Sequence, residues 1–138
     1  ILTPMPPCPK CWFTVCMPPQ GVSTPRAYSR FDELGTDVKV DGGAAAAALR
    51  AGDLDALCVQ MANELQYSSE SSANAPICAA LRAAGAKAAL MTGSGAAVYG
   101  VFETRAAAEA ARTALLRSWP RAWAVHPVRC GAHVCRGR

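Results

Sequence analysis

Two short apolar runs, residues 88–91 (AALM) and 97–102 (AVYGVF), flank the small residues Thr92, Gly93, Ser94, Gly95 and Ala96. Each run has the length of a strand rather than of a helix. Glycine is the usual supplier of the positive φ that a tight reversal needs. The stretch predicts a β-hairpin, and an isolated hairpin is at best marginally stable. The rest of the chain must therefore supply more strands, and helices to cover them.

It does so on both sides. Residues 12–17 (WFTVCM) form an apolar run bounded by prolines, the pattern of a buried strand, and PPQG ends it with turn chemistry. Ser23 or Thr24 is placed to cap a helix with Pro25 at its first position, passing Tyr28 and Phe31 to about residue 34. Residues 35–43 read as loop. A helix over 44–51 is stopped by Gly52, and Asp53 caps another through Leu54, Leu57, Cys58 and Met61. The polar run 63–74 reads as loop, with Asn74 as the next N-cap, Pro76 in the first turn and Gly85 at the end. Ile77, Leu81 and Ala84 share one apolar face of that helix. Thr104 caps a helix to about residue 119, with Ala108, Ala111, Leu115 and Trp119 inward and Arg105, Glu109 and Arg112 outward. Residues 122–125 make a last strand.

The order is β, several helices, β, β, α, β. Strands and helices do not strictly alternate, so the class is α+β: a ferredoxin-like split β-α-β-β-α-β with extra helices in the first crossover. We expect a proline-rich lead-in over 1–10, one domain over 11–126, and a basic, disordered tail over 127–138. The chain opens on Ile1, which reads as a fragment or a processed product.

Composition narrows the function. Half of the residues are hydrophobic, enough for a real core, yet no run of eighteen apolar residues suggests a membrane span. Pro4, Pro6 and Pro7 interrupt any secretory h-region, so we expect a cytoplasmic protein with reduced thiols. The net charge of +4 is scattered except in the tail, and no aromatic–basic interleaving supports a nucleic-acid partner. Cys16, Cys58 and Cys78 sit in apolar company as small core residues. Cys8 and Cys11 form a C-x-x-C that precedes a strand rather than opening a helix, which argues against redox chemistry. With Cys130, His133 and Cys135 the pair could hold zinc; the simpler reading is two reduced surface thiols, and we assign no metal. His126 has no visible catalytic partner.

The glycine stretch is not a Walker loop, because Ala96, Ala97 and then a strand follow Gly95 where a lysine and a helix are required. It is a hairpin turn whose free N–H groups could form an anion nest. For Tyr28, helical spacing by itself favours a core aromatic.

Taken together, PPCPKCWFTVCMPP, GVSTPRAY, NELQ and LMTGSGAAVYGVF, in that order, resemble the C-terminal half of the 4-diphosphocytidyl-2-C-methyl-D-erythritol kinases, members of the GHMP kinase superfamily. The resemblance covers roughly residues 5–118. It departs from the family at Ala96, where proline is usual, at Tyr99, where phenylalanine is common, and at Glu64 and Gln66, where Asp and Glu are typical. It implies an ATP- and Mg²⁺-dependent kinase that phosphorylates the 2-hydroxyl of its CDP-methylerythritol substrate in non-mevalonate isoprenoid synthesis. It implies that Thr24 lies near the methylerythritol end, that Tyr28 packs on the cytosine ring, and that Thr92, Gly93, Ser94 and Gly95 border the active site. An aromatic platform for a base is worth about 1–3 kcal/mol. The superfamily's main phosphate loop and its catalytic Asp and Lys belong to an N-terminal domain not contained in these residues. No catalytic residue is therefore assigned in this chain, and the chain alone is expected to be inactive. The rivals are a non-catalytic ferredoxin-like binding or regulatory module, and another GHMP kinase with a different alcohol substrate.

Overall fold

The computed structural model describes residues 4–128. Ten elements follow in order: β1 (Trp12–Cys16), α1 (Thr24–Leu34), α2 (Gly42–Ala51), α3 (Leu54–Val59), α4 (Leu65–Ser68), α5 (Asn74–Ala83), β2 (Ala88–Met91), β3 (Val98–Phe102), α6 (Arg105–Leu115) and β4 (Ala122–Val125). The strands form one sheet in the order β2-β3-β1-β4, with every neighbouring pair antiparallel. This is the α+β split arrangement expected from the hairpin and its flanks. Among the described residues no helix is long and apolar enough to cross a membrane.

Strand periodicity divides the side chains between two faces. Cys16, Ala89, Val98, Phe102 and Ala122 meet Ile77, Cys78 and Leu81 of α5 and Ala108, Ala111 and Leu115 of α6 in the main core. Helix α5 and the turn after it lie so close to the sheet that a Cβ on Gly100 would stand 3.0 Å from Leu81 Cδ2 and 3.2 Å from Ala86 Cβ. Thr14 is the polar exception on this face: fully buried, its hydroxyl donates to Ala108 O at 2.7 Å, so no donor is left unmet. On the opposite face Cys11, Ala88 and Val101 pack with Cys58 of α3, supported by Phe13, Leu54, Met61 and Tyr99.

Several local expectations need correction. Helix α2 begins at Gly42, two residues early, because the Asp41 carboxylate accepts from Ala44 N. Asp53 caps α3 in the same way, but the helix ends at Val59, short of Met61. The polar run 63–74 contains α4: Asn63 Oδ1 accepts from Leu65 N, and the Ser68 hydroxyl returns to Leu65 O. Asn74 is no N-cap; Ala73 occupies that position, and Asn74 is buried with its amide on Ser69 Oγ and Met91 Sδ. Helix α6 is capped by Thr104 and ends at Leu115, where turns over 116–119 replace the expected last turn. Cys11 is buried, not a surface thiol, whereas Cys8 is exposed.

Candidate functional site

Helix α1 begins where Ser23 leaves an extended backbone and Pro25 supplies a fixed φ in the first turn. It is held by one buried contact face and a set of polar ties. Ala27 points inward, and its carbonyl accepts from the Ser68 hydroxyl. Arg30 donates to Ser68 O, and Arg26 and Arg30 both reach Glu70, at 2.9 and 3.3 Å. Thr24 and Tyr28, one turn apart, are exposed. Tyr28 is 53% exposed, so it is not the core aromatic that its spacing alone suggested.

The turn between β2 and β3 closes through Thr92 N donating to Ala97 O and Gly95 N donating to Thr92 O. Gly93 and Gly95 take positive φ, +55° and +98°. At Gly95 a Cβ would also stand 2.8 Å from Met91 Sδ, so glycine is required there for space as well as for conformation. Among the described residues the Gly93 and Ser94 N–H groups have no protein acceptor. The structure brings the two halves of the candidate site together: Thr24 Oγ1 and Ser94 Oγ are 2.8 Å apart. Thr92 and Gly93 are exposed, and Ser94 and Gly95 are half-buried.

Two residues that the sequence reasoning set aside hold this turn in place. Asn63 Nδ2 donates to Met91 O at 2.8 Å and to Gly93 O at 2.9 Å. Gln66 Oε1 accepts from Met91 N at 2.7 Å. The available signal was the run NELQ itself: two carboxamides, each a donor and an acceptor, three residues apart in a polar stretch.

The C-x-x-C lies elsewhere. Cys8 Sγ and Cys11 Sγ are 3.8 Å apart beside an open cavity of about 310 Å³ that also involves Trp12 and His126. Burial pushes the Cys11 thiol up to about 12, with the Cys8 thiol adding to the effect. His126 is exposed and packs edge-on against Trp12 at 5.2 Å. The zinc partners considered for the pair, Cys130, His133 and Cys135, and the basic tail from Arg129 lie outside the described residues.

Comparison with known proteins bears on the fold and the family. A family model described as GHMP kinases C terminal matches residues 45–121, more than half of the chain. The chain is 35% identical over 105 residues to the 4-diphosphocytidyl-2-C-methyl-D-erythritol kinase of Geobacillus kaustophilus, covering 75% of this chain and 36% of that protein. A crystal structure of a 4-(cytidine 5'-diphospho)-2C-methyl-D-erythritol kinase superposes with a TM-score of 0.72 at 28% identity, over 90% of this chain and 45% of that one. A homoserine kinase from Cytophaga hutchinsonii superposes with a TM-score of 0.70 at 16% identity, over 90% of this chain and 44% of that one, a likeness of fold alone. The chain thus spans less than half the length of each of these relatives. With the four-stranded antiparallel sheet and its helices, these matches show that the chain belongs to the GHMP kinases and carries their C-terminal domain.

Proposed function

We propose that this domain forms one wall of the substrate cleft of an ATP-dependent kinase that phosphorylates the 2-hydroxyl of 4-diphosphocytidyl-2-C-methyl-D-erythritol. The observation that carries the reading is the 2.8 Å contact between Thr24 and Ser94. It joins the helix of GVSTPRAY to the glycine turn at the surface, with the exposed Tyr28 ring one turn along α1. In this arrangement Tyr28 offers a flat face to the cytosine ring. The hydroxyls of Thr24 and Ser94 face the sugar-alcohol end, and the open N–H groups of the turn face phosphate oxygens. These groups bind and orient. In the transfer itself the substrate hydroxyl oxygen attacks the γ-phosphorus, the bond to the ADP oxygen breaks, and the hydroxyl proton passes to a base. Such a reaction depends on positioning and on neutralising phosphate charge. Arg26 and Arg30, the cations of α1, are paired with Glu70. We assign the base, the Mg²⁺ contacts and the main phosphate loop to the remainder of the intact kinase. ATP and the cytidine-containing alcohol are then its two substrates.

The test is Tyr28→Ala in the intact kinase. The KM for the cytidine-containing alcohol should rise about tenfold or more, the loss of a stacking platform for a base, with a smaller change in the KM for ATP. Folding should be unaffected, because the ring is half exposed. Equal effects on both KM values would refute the platform role. Faster turnover of another small alcohol in a substrate panel would move the assignment to a different member of the superfamily.

A further inference from the structure

We propose that Asn63 and Gln66 are positioning residues that set the shape of the glycine turn, the first as a hydrogen-bond donor and the second as an acceptor. The proposal deepens the reading above and rests on it for its functional consequence.

The argument starts at the sheet edge. Strand β2 is an edge strand, paired only with β3. Met91, its last residue, therefore has main-chain groups without a strand partner on the outer side, and an open edge is ordinarily a liability. Here Asn63 takes the Met91 carbonyl and Gln66 takes the Met91 N–H. Asn63 reaches further, to the carbonyl of Gly93 inside the turn. The same two carboxamides thus close the end of the edge strand and fix where the turn leaves it. Ser94, the next residue, is the one that meets Thr24.

The chemistry at each carboxamide is determined by its partners. Carbonyl oxygens of Met91 and Gly93 only accept, so the group facing them must be the Asn63 NH₂. Its oxygen is then turned toward Leu65 N, at 3.1 Å, which anchors the residue to the start of α4. Met91 N–H only donates, so Gln66 must present oxygen. This yields an asymmetry that shape alone would not produce. Asn63→Asp removes both donors and sets a carboxylate against two carbonyl oxygens. Gln66→Glu keeps the acceptor. Gln66→Leu keeps most of the volume and orphans the Met91 N–H.

The three variants are to be made in the intact kinase, measuring kcat/KM for the cytidine-containing alcohol and amide hydrogen exchange in peptides spanning 91–97. Asn63→Asp should lower kcat/KM about tenfold or more, because two hydrogen bonds to the turn are lost, and should speed exchange in the turn. Gln66→Glu should stay within about threefold of the parent on both readouts, while Gln66→Leu behaves like Asn63→Asp. If Asn63→Asp does not fold, the Gln66 pair decides by itself. Equal effects of Gln66→Glu and Gln66→Leu, or unchanged exchange in Asn63→Asp, would overturn the positioning role. A parent enzyme with no turnover of the alcohol would count against the proposed function instead, and the exchange pattern would still decide the positioning role.

Discussion

The two ends of the sheet carry the residues that most invite a chemical reading, and they are built in different ways. At the hairpin end, where Cys16 pairs with Val98, lie Thr24, Tyr28 and the glycine turn. At the other end, where Trp12 pairs with Phe102, lie Cys8, Cys11 and His126. The hairpin end leaves its polar groups exposed with bonding capacity to spare, and ties their supports down with Asn63, Gln66 and Glu70. At the cysteine end Cys8 and His126 are also exposed, but Cys11 is not. It is sunk into apolar contacts, and the histidine leans on a tryptophan. The difference teaches that residue chemistry marks a site only where the groups are both reachable and held from behind.

The sharpest way to break the comparison is to damage the support at the hairpin end. Gly95→Val places a side chain 2.8 Å from Met91 Sδ at a φ of +98°. Met91 is fully buried. The cost should be about 2–4 kcal/mol, combining overpacking with a backbone conformation that L residues avoid. Gly93→Ala meets nothing within 4 Å and has only its φ of +55° to contend with, so about 1 kcal/mol is expected. Denaturant unfolding of the two variants gives the ranking, and equal losses would show that Met91 yields. Cys8→Ser at the other end should fall within about 0.5 kcal/mol of the parent, as an exposed substitution does.

The second way acts at the cysteine end through pH. The ordinary value of a free thiol is 9.0, and burial lifts Cys11 at this end to about 12 and Cys16 at the hairpin end to about 11. A raised folded value means that the folded state holds its proton where the unfolded state releases it. The stabilisation is complete below 9.0 and is lost as pH climbs toward the folded values. Unfolding midpoints measured from roughly pH 8 to roughly pH 11 should therefore fall. The fall should be shallower in Cys11→Val, where the largest of these contributions is gone. An unchanged slope in that variant would mean that Cys11 is open to solvent after all.

The sequence disclosed the sheet and the hairpin more readily than the site's supports, for a physical reason. Apolar runs such as WFTVC and AALM report burial directly, and Asp53 and Thr104 report helix starts by local capping. The site roles expected for Thr24, Tyr28 and the turn come from the resemblance of GVSTPRAY and LMTGSGAAVYGVF to a family. That Thr24 meets Ser94 is a contact across 70 residues, which no periodicity encodes. Asn63 and Gln66 lie in a polar run that reads as solvated loop, and Asn74 reads as an N-cap because it precedes an apolar helix. Each instead serves a distant partner, and Met91 is the residue all three touch. Cys11 was misplaced for the complementary reason: proline neighbours suggest an exposed lead-in, whereas its neighbours in space are Cys58, Ala88 and Val101.

The most useful control lies in the contacts around Trp12. His126 meets the Trp12 ring edge-on at 5.2 Å and 67°, and Arg105 lies over the same ring at 5.5 Å. Both residues are exposed, so each contact is diluted by water. His126→Ala should cost about 0.5 kcal/mol, the low end for an aromatic pair, and Arg105→Ala about 0.5–1 kcal/mol, as for an exposed cation–π contact. Neither should alter KM for ATP or for the alcohol, because the whole length of β1 separates them from Thr24 and Ser94. A change in either KM would mean that the cysteine end communicates with the hairpin end, and the contrast between the two ends would have to be redrawn around Trp12.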